Sequence, residues 1–359
     1  MSASSEFAVS GPFELREGSG TWIQSPLFDL SFFVVSPILS FLVVFGARVS
    51  PLVPIAVTMF LGFPHYYSTF SFYFWDQYRD RHLTRWFLFF GGPILIGAAT
   101  VAAFAFRLSL LYSAVIFFWT AIHVSRQSSG LLSIYRHRSG QPDPVDKRVA
   151  NWAILSMNLW FTIWNLQTYP LLYRQAARFG TWVPAVIWMA FAVWAVVSAV
   201  LLAVNLWNRA RSGRNAPTQA EIVFILASVA MFHPYLWVAD PALATLGMLS
   251  GHFVQYLGIV WLLHRRKYAH THGFDLWRPV AAMSASTPLL IVSLAVLSLL
   301  TLGTYVAAMR FSRAALFEVA SMSVIFVHYY LDGLFWAFRD PQVRRTIGPY
   351  LSARPPVWT

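Results

Sequence analysis

The chain has 359 residues, 57% of them apolar and only 11% charged, with a formal net charge of +12. A soluble domain carries about a quarter charged residues to cover its surface, so a water-facing globule and a disordered chain are both excluded. Cysteine is absent, which removes disulfides, Cys-ligated zinc, iron–sulfur clusters, c-type haem attachment and a Cys nucleophile.

The mean hydropathy is +0.56, and the apolar runs are about twenty residues long, the length that crosses a bilayer as a helix. They lack the alternating pattern of a membrane β-barrel strand. The expected fold is therefore all-α: a polytopic bundle of about ten transmembrane helices whose first partner is the lipid bilayer. The excess positive charge is almost all arginine, with only Lys147 and Lys267 as lysines. It falls in short separate clusters between apolar runs, so it reads as a topology signal and not as a nucleic-acid footprint.

In chain order, residues 1–26 form a polar tail containing Glu6, Glu14 and Glu17 and lacking the apolar core of a secretory signal. Ten spans follow, at 27–47, 51–75, 86–106, 108–135, 150–169, 182–207, 219–238, 243–263, 279–308 and 314–338. Each even-numbered span ends in a basic cluster: Arg79 to Arg85, Arg136 to Arg148, Arg209 to Arg214, His264 to Lys267, and Arg339 to Arg345. The loops after odd spans are poorer in charge. The positive-inside rule then puts both termini in the cytoplasm, with a bacterial-type inner membrane as the expected location. Trp22, Trp75, Trp86, Trp182, Trp207 and Trp277 sit at span ends, as interfacial belts require. Residues 27–338 read as one transmembrane domain and residues 339–359 as a cytoplasmic C-terminal tail.

Ten histidines divide evenly. His82, His137, His264, His270 and His272 lie in or beside loops and are expected to be solvated. His65, His123, His233, His252 and His328 lie inside spans. His65 precedes Arg79 by 14 residues, His123 precedes Arg136 by 13, His252 precedes Arg265 by 13 and His328 precedes Arg339 by 11. His233 follows Glu221 by 12. At the helical rise, all five lie about 16–21 Å from one membrane face. Polar groups at that depth face a bundle interior or a functional site, and imidazole is the commonest metal ligand. Pro234, directly after His233, is expected to break span 7.

Four of these histidines have a polar residue one turn later on the same face: Thr69 after His65, Gln127 after His123, Tyr256 after His252 and Asp332 after His328. Asp332 is a candidate to orient His328 or to bind a metal directly. Arg126, inside span 4, calls for an anion, either Asp332 or an acidic substrate head. Tyr256 and Tyr329 are candidates to hydrogen-bond ligands or line a substrate path. The metal set is His65, His123, His233, His252 and His328, and the catalytic set is Asp332, Arg126, Tyr256 and Tyr329.

Adjacent-histidine and HxxxH boxes, HExxH, P-loop and GxSxG patterns do not occur. The segment Gly62-Phe63-Pro64-His65 resembles the Gly-x-Pro-His start of the Brp/Blh-type membrane β-carotene dioxygenases. In that family Gly follows the histidine and Asp stands four residues after it; here those positions hold Tyr66 and Thr69. The resemblance implies a polytopic protein that holds one iron with histidines from separate helices and cleaves a polyene with O2. The expected function is an integral-membrane His-ligated metalloenzyme that oxidises or cleaves a hydrophobic lipid or isoprenoid-type molecule. Iron is the expected cofactor, with copper, zinc and haem b as alternatives, and an electron-donor protein is a candidate partner. The competing expectations are a proton-coupled transporter using the His/Asp/Arg layer as a relay and a haem-binding electron-transfer protein.

Overall fold

The computed structural model describes residues 21–74, 84–138, 144–168, 173–174, 177–212, 216–268, 286–311, 313–338 and 340–351. Within them every regular element is helical. In chain order these are α1 (Pro26–Asp29), α2 (Ser36–Val49), α3 (Leu52–Val57), α4 (Phe63–Phe74), α5 (Gly92–Ala105), α6 (Ser109–Arg138), α7 (Pro144–Thr168), α8 (Val183–Ser212), α9 (Gln219–Ala230), α10 (Pro234–Trp237), α11 (Pro241–Tyr268), α12 (Thr287–Arg310), α13 (Ala314–Phe335), α14 (Pro341–Thr346) and α15 (Gly348–Leu351). Every apolar stretch read from the sequence is helical over most of its described length.

Among the described residues, five helices are long and apolar enough to cross a membrane: Phe87–Ala105, Val183–Ser212, Gln219–Trp237, Pro241–Lys267 and Thr287–Arg310. A sixth candidate is the pair Pro26–Val34 and Ser36–Val49, bent by 42°. Helix α4 has 12 described residues, and α4, α6 and α13 carry His65, His123 and His328 with polar residues beside them.

Three wide π-type turns, Leu30–Val34, Thr58–Gly62 and Phe87–Gly91, each stand just before a proline: Pro37, Pro64 and Pro93. Proline donates no backbone hydrogen bond and pushes on the carbonyl four residues earlier, so the turn ahead of it widens. The middle one resets the helix phase immediately before His65. Pro234 acts similarly, and the chain turns at Met231–His233 between α9 and α10.

Helix α11 is the axis of the bundle: 72% of its most apolar stretch is buried, against 6% for α12 and 17% for α8. It lies against α2 because Gly247 and Gly251 leave no side chain in the way, and Gly258 does the same for Phe32 in the π-type turn just before α2. A Cβ on Gly251 would stand 2.8 Å from the Ser36 carbonyl oxygen. Helices α8 and α12 instead present Val196, Val200, Leu299 and Leu300 outward, as lipid-facing helices do.

Several basic residues depart from the sequence reading. Arg136 and Arg209, read as loop cations, are 3% and 6% exposed. Both close on Glu221: Arg136 Nε donates to Oε1 at 2.8 Å, and Arg209 Nη1 and Nη2 donate to Oε1 and Oε2 at 2.8 and 2.9 Å. The knot ties α6, α8 and α9 together. His264 is also buried, at 1% exposure, rather than solvated; His137 is exposed, and His82, His270 and His272 lie outside the described residues.

The ends of the described chain pack onto the bundle. Ile23 is buried, and Asp29 accepts from the Ile23 and Gln24 backbone N–H groups and from the Tyr135 hydroxyl. In the stretch read as a C-terminal tail, Val343, Ile347, Tyr350 and Leu351 are buried in the main core. Arg266 donates both to the Tyr350 carbonyl and to Gln24 Oε1, at 2.7 and 2.6 Å.

Candidate metal centre

Helices α4, α6, α11 and α13 bring four imidazoles together. His65, His252 and His328 are at most 1% exposed and His123 is 9% exposed. Going round the cluster, ring centroids are 4.7 Å apart for His65–His252, 5.3 Å for His252–His123, 5.4 Å for His123–His328 and 4.4 Å for His328–His65. One ligand atom each from His65, His252 and His328 lie within 4.8 Å of one another, and the same holds for His123, His328 and Asp332.

Both ring nitrogens of His65, His252 and His328 and Nε2 of His123 are buried without a hydrogen-bond partner among the described residues. A buried polar atom left unpaired costs about 1–3 kcal/mol. Seven such atoms in four neighbouring rings would be hard to sustain in a packed bundle unless something else satisfied them. A metal ion takes one nitrogen from each neutral imidazole and would satisfy four of these atoms at one point.

One turn along each helix lies a second layer. A side chain at i+4 stands on the same face, and its Cβ leans back toward residue i. Thr69, Tyr256 and Asp332 are the i+4 residues of His65, His252 and His328, and they hydrogen-bond one another. Asp332 Oδ1 accepts from the Tyr256 hydroxyl at 2.8 Å and from the Thr69 hydroxyl at 2.9 Å. The two hydroxyls are 2.5 Å apart, and Trp336 Nε1 donates to the Tyr256 oxygen at 3.4 Å. Asp332 Oδ2 stands 3.7 Å from Nε2 of both His123 and His328. Gln127, the i+4 residue of His123, has both amide atoms buried without a partner among the described residues.

Tyr329 stacks on His123 with ring centroids 4.3 Å apart, and its hydroxyl is 2.8 Å from Thr120 Oγ1. Tyr66 packs edge-on against His65 and His328.

Two expected site residues are not brought here. His233 is held elsewhere: Nε2 is 3.1 Å from the Pro37 carbonyl, Nδ1 accepts from Trp237 Nε1 at 2.9 Å, and its ring stacks on Trp237. The Pro234 break turns it away from the other four, so it is no fifth ligand. Arg126 is exposed, three residues from His123 on α6, and it forms no ion pair with Asp332 among the described residues.

Sequence reasoning did not foresee Trp336 or the mutual bonding of the i+4 residues. The signal for the latter was present in the repeated spacing. No family model, curated protein or solved structure matches this chain.

Proposed function

We propose that this chain is an integral-membrane, His-ligated non-haem iron enzyme that oxidises or cleaves a hydrophobic, isoprenoid-type substrate with O2. The observation that carries the reading is the closed set of four buried imidazoles with seven unpartnered ring nitrogens. His65, His123, His252 and His328 would hold the ion. Close ring packing favours a bare ion over a porphyrin, which is wider than this cluster. The exposure of Arg126 weakens the relay reading, because a transporter relay would use it inside the layer.

Bound iron would supply the O2 chemistry. The protein's own residues do the rest. Tyr329, anchored by Thr120, fixes the plane of His123. The apolar helices around the centre keep water from reactive species. Cleavage of a carbon–carbon double bond balances without further reagents: the bond breaks, each carbon takes one atom of O2, and two carbonyls form. Hydroxylation would instead need two electrons and two protons, and hence an electron-donor protein.

In this reading the chain crosses a bacterial-type inner membrane ten times with both termini cytoplasmic. The basic clusters after even spans support this, as does Arg266 binding both Gln24 and Tyr350 at one end of the bundle. Because the protein has no cysteine, single introduced thiols report topology cleanly. Ser139→Cys is expected to label from the cytoplasm and Thr181→Cys from the other side; the reverse pattern overturns the orientation.

The primary test is metal content by mass spectrometry on detergent-purified protein, with an absorption spectrum from the same sample. About one iron per chain with no Soret band, and both oxygen atoms of labelled O2 in the carbonyl fragments of a long polyene, is the expected result. A Soret band would move the assignment to haem. Absence of stoichiometric metal after reconstitution would overturn the enzyme reading and leave a proton relay.

A further inference from the structure

We infer that Asp332 is a direct metal ligand through Oδ2, with Thr69 and Tyr256 as the positioning residues that aim it, which makes the centre a mixed imidazole–carboxylate site. The inference rests on the metal reading above and deepens it.

The two carboxylate oxygens have different surroundings. Oδ1 is taken up by two hydroxyl donors, Tyr256 at 2.8 Å and Thr69 at 2.9 Å. Oδ2 stands at the same 3.7 Å from Nε2 of His123 and Nε2 of His328. That is beyond a hydrogen bond, and a carboxylate orienting one histidine would approach that ring and not stand midway between two. Bonds of about 2.1 Å to an ion put neighbouring donors about 3 Å apart and opposite donors about 4.2 Å apart. The observed 3.7 Å falls between these. Oδ2 is therefore spaced as a third donor beside two ring nitrogens.

Charge supports the same assignment. Four neutral imidazoles leave a divalent ion with its full charge in an apolar bundle, where uncompensated charge is expensive. Asp332 is 5% exposed and has no Lys or Arg ion pair among the described residues. The ion and the carboxylate each lack a counter-charge that the other provides. Imidazole with one carboxylate suits iron(II), cobalt(II) or zinc(II) and disfavours copper(I), which prefers softer donors. Thr69 and Tyr256 come from α4 and α11, the helices of His65 and His252, so three of the four ligand helices also fix the fifth donor. Outer partners of this kind typically change metal affinity about 10–100-fold when removed.

The test is cobalt(II) binding to metal-stripped, full-length protein in detergent, read by chelator competition and by the visible d–d spectrum. Asp332→Asn is expected to weaken binding at least about 100-fold and to alter the band. Tyr256→Phe and Thr69→Val are each expected to weaken it about tenfold, and Thr69→Ser to restore it. Where Asp332→Asn is not monodisperse, the Thr69→Val and Thr69→Ser pair decides. Asp332→Asn, or Thr69→Val in that case, binding within twofold of wild type with an unchanged spectrum overturns the inference and leaves an all-imidazole centre. Wild-type protein that takes up no cobalt(II) overturns the metal reading and this inference together.

Discussion

At Glu221 two guanidiniums close on one carboxylate, and both of its oxygens accept hydrogen bonds at 2.8–2.9 Å. At His65, His123, His252 and His328 four imidazoles meet with ring nitrogens that have no partner among the described residues. Both clusters are buried in the same helical bundle; the first joins α6 to the consecutive helices α8 and α9, and the second joins four helices that are not neighbours in sequence. The first carries its own counter-charges and holds α6, α8 and α9 in place. The second has no such partners among the described residues, and the proposed metal ion would be what joins it. A buried polar group therefore points to function when its neighbours leave it unsatisfied, and burial alone does not separate the two cases.

The comparison can be broken most sharply at the histidines. His328→Ala and His65→Ala are each expected to abolish stoichiometric metal binding while the protein still inserts and stays monodisperse. Full metal retention in both variants would remove the distinction between the clusters. Glu221→Ala should show the opposite pattern. Stranding two buried guanidiniums costs about 3–5 kcal/mol, so thermal unfolding in detergent should drop steeply while the folded fraction keeps its metal.

Smaller effects sharpen the picture. Gly251→Ala pushes a methyl to 2.8 Å from the Ser36 carbonyl and should cost about 1–3 kcal/mol through overpacking. Since Gly251 adjoins His252, its metal affinity should fall as well, unlike that of Glu221→Ala. His233→Phe is the mildest. It loses the contacts to Pro37 and Trp237, about 1 kcal/mol each, and metal content should not change. Loss of metal in His233→Phe would show that the fifth intramembrane histidine belongs to the centre after all.

Much of the site was legible because it obeys helix arithmetic. Counting residues from each basic cluster placed His65, His123, His252 and His328 at one depth, and the i+4 spacing placed Thr69, Tyr256 and Asp332 on the same faces. Depth could not separate His233 from the rest, because it says nothing about direction around the helix. Arg136 and Arg209 were misread for a related reason. A cation near a span end can be a solvated topology signal or one half of a buried pair, and only the position of Glu221 on a neighbouring helix distinguishes them. Arg126 shows the converse: its position inside a span pointed inward, yet the packing of α6 leaves it exposed.

By itself the sequence determined the helical class, the break at Pro234, and a common depth for the intramembrane imidazoles. These follow from hydropathy, the missing N–H of proline and a fixed rise per residue, all local properties. Only the tertiary structure decided how far each helix is rotated about its axis. That rotation follows from packing, from the bare glycine faces of α11 against α2 to the π-type turn ahead of His65. It alone gathers four histidines, turns His233 away and brings the carboxylate of Asp332 to the edge of the cluster.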